Sequence, residues 1–167
     1  YRSHLGSRVE YFMPISPALG NSEELDAFLK AARYGDIEEV QEMLKSRPEL
    51  LEESDAFTKS TAMLLASGNG HSDIVKLLIK EAGEGRKSEV VNQGNRQGNT
   101  PLHWAALNGH LDVCKILVDA GADATTLNKA KRTPYDEALS RHFQDVCVYL
   151  AKFSAPESEP GTASKSH

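Results

Sequence analysis

The feature that most constrains this chain is a self-similarity at a spacing of 33 residues. Thr133-Pro134 repeats Thr100-Pro101, Ala138 repeats Ala105, Val146-Cys147 repeats Val113-Cys114, and Tyr149-Leu150 repeats Ile116-Leu117. Upstream, Thr61-Ala62-Met63, Ala66, Gly70-His71, Ile74-Val75 and Leu77-Leu78-Ile79 keep the same frame, with six additional residues before the next copy. A weaker copy shows Ala31-Ala32, Gly35-Asp36, Val40 and Met43-Leu44. Four tandem units do not require one globular core, because each buries its apolar face on its neighbour.

Each unit carries two helices. Thr100 can cap a helix that tolerates Pro101 in its first turn, where the missing N–H has no intrahelical partner. Gly109 ends it. Leu111, Cys114, Ile116, Leu117 and Val118 then form a second apolar helical face, and Gly121 supplies a left-handed stop. The run Thr100-Pro101-Leu102-His103, with Gly109-His110 and the 33-residue period, resembles the ankyrin repeat. The resemblance implies an all-α ankyrin-repeat solenoid of four helix-turn-helix repeats with β-turn tips. Repeats are expected at about 21–54, 55–94, 95–127 and 128–153, within a domain spanning 21–153. Residues 1–20 lack helical or strand periodicity and are expected to form a flexible arm. The polar stretch 154–167 has too little apolar area to order itself and is expected to be a disordered tail.

Departures from the frame are informative. The first unit lacks the threonine-proline start, and Glu39 and Glu42 stand where the third unit is apolar, as suits an end repeat with one neighbour. In the second unit Ala62 and Leu64 replace the proline and histidine of the signature. The extra segment Glu81 to Glu89 is expected to be either further helix or a loop. Its Gly83, Gly85, Lys87 and Ser88 do not make a phosphate loop, since the order Gly-Arg-Lys-Ser breaks the required spacing and no strand precedes it. In the fourth unit Lys131 and His142 occupy the places of Gly98 and Gly109. Either the backbone differs there or the last repeat bears strain on the order of 1 kcal/mol per site.

No pattern in the sequence supports catalysis. His71 and His110 follow helix-ending glycines and His103 lies in the signature, so all three fit local hydrogen bonding within a repeat. They have no cysteine or carboxylate partners at zinc-ligand spacing, and nucleophile-elbow and dinucleotide patterns are missing. The expectation is therefore a protein that is not an enzyme and uses no cofactor or metal. Cys114 and Cys147 fill one slot of adjacent repeats, too far apart for a disulfide, and read as reduced core residues. No run of roughly 20 apolar residues marks a membrane span.

What remains is surface. Residues 21–55 hold eleven acids against four bases, a net of −7 within a chain whose total is −5. Such an end disfavours nucleic acid as a direct partner and suits a basic protein. In an ankyrin-like stack the turn tips and exposed sides of the first helices line a concave groove that holds a partner. Mapped onto this chain, the groove draws Arg33 and Tyr34 from the first unit and Phe57, Thr58, Ser60 and Asn69 from the second. Arg96, Gln97, Asn99, Trp104, Leu107 and Asn108 come from the third, and Lys129, Arg132 and Arg141 from the fourth. Tyr34, Phe57 and Leu107 are the expected anchors, while Trp104 fits packing between first helices better than direct contact. Lys129, Lys131 and Arg132 form a short basic cluster that reads as a solvated turn.

A narrower resemblance lies in Val91-Asn92, Asn95, Gly98-Asn99-Thr100, Leu102-His103-Trp104-Ala105, Leu107-Asn108-Gly109 and Leu111-Asp112-Val113, preceded by the second-unit insertion. These look like the small fungal ankyrin proteins that chaperone ribosomal protein three of the small subunit. The chain lacks the long acidic tail of that family. The resemblance implies a monomer of cytoplasm and nucleus that binds a basic ribosomal protein, with a general adaptor or enzyme regulator as the alternative.

Overall fold

The computed structural model describes residues 22–154. The expected N-terminal arm, and all of the expected tail but Ser154, lie outside the described residues. Eight α-helices follow in pairs: α1 (Glu23–Tyr34) with α2 (Ile37–Ser46), α3 (Ala62–Gly68) with α4 (Ser72–Asn92), α5 (Pro101–Leu107) with α6 (Leu111–Asp119), and α7 (Pro134–Ser140) with α8 (Gln144–Ser154). The first helices stack in the order α1, α3, α5, α7, and the second helices in the order α2, α4, α6, α8.

Local chemistry sets the helix ends. Ser22 Oγ accepts Leu25 N–H at 3.1 Å and Asp36 Oδ1 accepts Glu39 N–H at 3.1 Å, each satisfying an amide that has no intrahelical partner. Thr61 Oγ1 accepts Leu64 N–H at 3.3 Å, so the second unit keeps its cap although its signature is degraded. Thr133 and Asp136 form a reciprocal box: Asp136 N–H donates to Thr133 Oγ1 at 3.2 Å and Thr133 N–H donates to Asp136 Oδ2 at 2.8 Å. In the third unit His103 does Asp136's work. Its Nδ1 accepts Thr100 N–H at 3.2 Å, and its Nε2 lies 3.0 Å from the Arg132 carbonyl in the next unit.

The core runs the length of the stack rather than gathering at a centre. Phe28, Leu29, Met63, Leu64, Leu102 and Ala138 are buried along the first helices, and Val40, Ile74, Leu78, Val113, Leu117, Val146 and Leu150 along the second. Cys114 and Cys147 are both free and buried, and burial pushes the Cys114 thiol up to about 12. After α2 a short 3₁₀ turn, Pro48–Leu51, drops Leu50 and Leu51 into the core.

The second-unit insertion is helical, but it does not simply prolong α4. Gly83 breaks the helix at φ 64°, ψ 173°, and the chain re-enters a helix through Asn92. Ala82, Val90 and Val91 are buried and hold both sides of the break to the core. Arg86 reaches back to Glu52 at 2.6 Å, while Asn92 binds forward, donating to the Gly121 carbonyl at 3.0 Å and accepting Asp123 N–H at 2.8 Å. The insertion thus ties back to the first unit, and the helix end that follows it ties forward to the third.

Lys131 and His142 keep the left-handed backbone of the glycines they replace, at φ 61° and 62°. The last repeat bears the strain. Its counterparts reveal why glycine is needed earlier. A Cβ on Gly35 would lie 2.8 Å from the His71 ring, one on Gly70 2.7 Å from the His110 ring, and one on Gly109 2.5 Å from the Phe143 ring. His142 follows the same geometry in the last described unit, where no ring of a further unit lies against it among the described residues. Lys59 also adopts a positive φ, 60°, and stands in the second unit where Gly98 stands in the third.

Two outcomes follow for stability. Gly109→Ala should destabilise the protein by more than Gly121→Ala in urea unfolding, since both positions have positive φ but a Cβ on Gly121 meets nothing within 4 Å. His142→Gly should instead raise stability by about 1 kcal/mol, the relief of left-handed strain. His103 adds a pH dependence: burial holds its pKa below the ordinary 6.5. Acidification below that value protonates the unfolded chain first, so stability should fall as pH drops from about 6.5 toward the folded-state value and then level off. A His103→Gln variant should be less stable at pH 7 and show a shallower loss over that acid window.

Candidate protein-binding surface

Three tips project from the stack, each folded around one inward carboxylate or amide. Asp55 Oδ1 accepts the amides of Phe57 and Thr58 and the Thr58 hydroxyl. Asn95 Oδ1 accepts Gln97 and Asn99 N–H, both at 3.0 Å. Asn128 Oδ1 accepts Ala130 N–H at 3.0 Å and Arg132 N–H at 3.1 Å. These side-chain turns spare each tip a buried unsatisfied amide. The tips are also tied to one another: Arg96 N–H donates to the Thr58 carbonyl at 2.9 Å, and Lys129 N–H to the Gln97 carbonyl at 3.0 Å. Asn128 Nδ2 adds a 2.7 Å bond to Asn99 Oδ1. The row is therefore pre-organised.

The groove residues expected from the sequence separate into two sets. Tyr34 is 67% exposed and Phe57 63%. Arg96, Gln97 and Lys129 are also exposed, and Thr58, Asn69, Asn99, Leu107, Arg132 and Arg141 are half-buried. The Arg96 guanidinium lies 5.9 Å from the centre of the Phe57 ring, and that of Arg33 at the same distance from Tyr34. Such stacking stiffens an aromatic that would otherwise swing in solvent. Arg132 is partly committed, donating to the Asp136 carbonyl at 3.0 Å with Glu137 at 3.6 Å.

Three residues expected in the groove are instead scaffold. Arg33, Ser60 and Asn108 are buried. Ser60 Oγ lies 2.8 Å from the Thr58 hydroxyl inside its tip. Asn108 Nδ2 donates to the Gly68 carbonyl at 2.7 Å, joining the end of α5 to the end of α3. The Arg33 carbonyl receives His71 Nε2 at 2.8 Å, and the side chain packs beneath Tyr34. Position within the repeat put these side chains near the groove, but Ser60 is engaged within its own tip and Asn108 by the preceding unit. Trp104 packs against the core, with its Cβ 3.4 Å from where a Cβ on Gly68 would stand, as the packing alternative anticipated.

Sequence reasoning passed over Lys59 and gave Lys131 no role in the groove; both are exposed on the tips. Lys59 could have been found by carrying the Gly98 position back across the six-residue insertion. Leu139 is 50% exposed where α5 has buried Ala106, because among the described residues no further unit packs on α7. Among the described residues no group of three or more histidine, cysteine, aspartate or glutamate side chains is placed to hold a metal ion. No helix of the described residues is long and apolar enough to cross a membrane.

Comparison with known proteins places this surface in context. A family profile described as "Ankyrin repeats (3 copies)" matches residues 28–128 and 90–159. Mouse diacylglycerol kinase iota is 30% identical over 130 residues, which is 77% of this chain but 12% of the kinase. Mouse protein phosphatase 1 regulatory subunit 12A is 34% identical over 98 residues, 59% of this chain and 9% of that protein. The chain thus spans about a tenth of the length of these curated relatives, and the kinase likeness is confined to its repeats. Among solved structures, the crystal structure of the yeast ribosomal protein Rps3 in complex with its chaperone Yar1 contains a matching chaperone chain. Its TM-score is 0.75 at 32% identity, covering 84% of this chain and 99% of the other. The paired helices, the linked tips and these matches together identify the chain as a member of the ankyrin-repeat family, a fold that serves as a protein-binding module.

Proposed function

We propose that this protein is a chaperone that holds a basic segment of a small-subunit ribosomal protein before that protein meets RNA. The observation that carries this is the end-to-end correspondence with the Rps3 chaperone, 99% of which is covered, against about a tenth of the larger curated relatives. The acidic first repeat supports it. Glu23, Glu38, Glu39 and Glu42 are exposed along α1 and α2, and Glu23, Asp26 and Glu39 line a shallow depression with Lys30. A polybasic segment gains affinity for any RNA by releasing counterions, so a carrier must cover that charge to prevent premature contact. Acids on the first repeat would steer and neutralise the segment, while Tyr34 and Phe57 would supply the apolar anchors. The protein acts in this scheme as a monomer without catalysis, in the cytoplasm and nucleus where such clients are made and assembled.

Mixing with purified small-subunit ribosomal protein three should suppress light scattering from that client at low salt. Tyr34→Ala and Phe57→Ala should each weaken binding by ~1–2 kcal/mol at every salt concentration. Joint reversal of Glu23 and Glu39 to lysine should chiefly slow association and flatten its salt dependence, since exposed charges are screened beyond about 8 Å at physiological ionic strength. Failure to bind or protect the client, together with stoichiometric capture of an unrelated protein from extract, would replace this function with that of an adaptor.

A further inference from the structure

The tips carry a charge opposite to that of the first repeat. The three tip segments, residues 55–60, 95–99 and 128–132, contain Lys59, Arg96, Lys129, Lys131 and Arg132, and their one acid is Asp55. That carboxylate is 2% exposed and points inward, accepting amides and a hydroxyl of its own turn. The outward charge of the row is therefore entirely cationic. Its backbone is fixed by the bonds from Arg96 to Thr58 and from Lys129 to Gln97, so the cations hold a set spacing rather than a fluctuating one. Phe57, stacked by Arg96, stands at one end of this row as an exposed apolar group.

From this arrangement the structure assigns to the tips a second docking surface, for an acidic extended peptide that places an apolar side chain on Phe57 and its carboxylates along Arg96, Lys129 and Lys131. The two backbone bonds between tips join them into one continuous row from Phe57 to Lys129, along which an extended peptide lays down side chains at ~3.3 Å per residue. Carboxylates suit the row because lysine and arginine heads at the rim give orientation and on-rate with little desolvation cost. A peptide is favoured over a polynucleotide because Phe57 is the one exposed aromatic on the tips, whereas single strands bind over successive stacking platforms. The surface lies apart from the acidic depression on α1 and α2 and does not depend on the client named above. It shares the Phe57 ring with the anchors of that client, so the acidic peptide and the client compete for Phe57 while their charged parts lie on separate faces.

The test uses the whole chain and a fluorescein-labelled eight-residue peptide of aspartate and glutamate with one central phenylalanine. Fluorescence anisotropy should show binding that weakens as salt rises. The double variant Lys129→Glu/Lys131→Glu should bind roughly tenfold more weakly, from loss and reversal of two exposed ion pairs, while Glu23→Lys should leave affinity unchanged. Phe57→Ala should weaken the phenylalanine peptide yet leave an all-acidic peptide unaffected, a selectivity that misfolding cannot mimic. Circular dichroism melts of each variant check the fold. Absence of peptide binding at low salt, indifference to the tip reversals, or tighter binding of an eight-nucleotide oligouridylate would each overturn the assignment. Loss of client protection with peptide binding intact would sink the chaperone function alone.

Discussion

The structure depends on how closely one repeat can approach the next at the end of its first helix. At Gly35, Gly70 and Gly109 the backbone turns with positive φ directly against the ring of His71, His110 or Phe143 in the following unit. Only glycine meets both demands, since any side chain would strain the turn and strike the ring. The rings in turn satisfy the backbone they cover: His71 Nε2 reaches the Arg33 carbonyl and His110 Nε2 the Gly68 carbonyl, at 2.8 and 3.1 Å. Steric fit and hydrogen bonding thus act on the same few atoms and set the spacing of the repeats. The spacing of the tips follows from it.

Much of this was legible in the sequence because repetition supplies its own control. A threonine or glycine that recurs at a fixed interval is explained once and applies to each unit, which is how the helix pairs, the buried cysteines and the bonding histidines were anticipated. What escaped notice is what repetition cannot encode. The burial of Asn108 goes with a bond to the preceding unit and that of Ser60 with a bond inside its own tip, contacts that a map of repeat positions leaves out. Lys59 escaped because the insertion shifted its frame relative to Gly98. Gly83 was visible as a glycine, but with Gly85 two residues on and charged helix formers around both, the segment left helix and loop equally open and did not mark which glycine makes the break.

Acids and bases are sorted along the molecule rather than mixed. The first repeat has a surplus of exposed carboxylates, whereas the tips of the other three present cations alone. A solenoid makes such sorting possible, because each unit is near its neighbours only and opposite charges two units apart interact weakly through water. A globular domain of this size would bring the two fields within a few ångströms of each other.

Arg47 fastens the first unit in a different way from the others. Its guanidinium binds Glu24 at 2.7 Å, Glu49 at 2.9 Å and Glu53 at 3.0 Å, gathering the start of α1 and the 3₁₀ turn around one half-buried cation. The inner repeats are clasped on both sides by apolar contact, which ionic strength hardly loosens, but this clasp is made of charge in contact with solvent. Rising salt therefore acts unevenly along the array. It leaves the middle firm and slackens the leading edge, so amide exchange in α1 and the 3₁₀ turn would quicken while α3 and α5 stay protected.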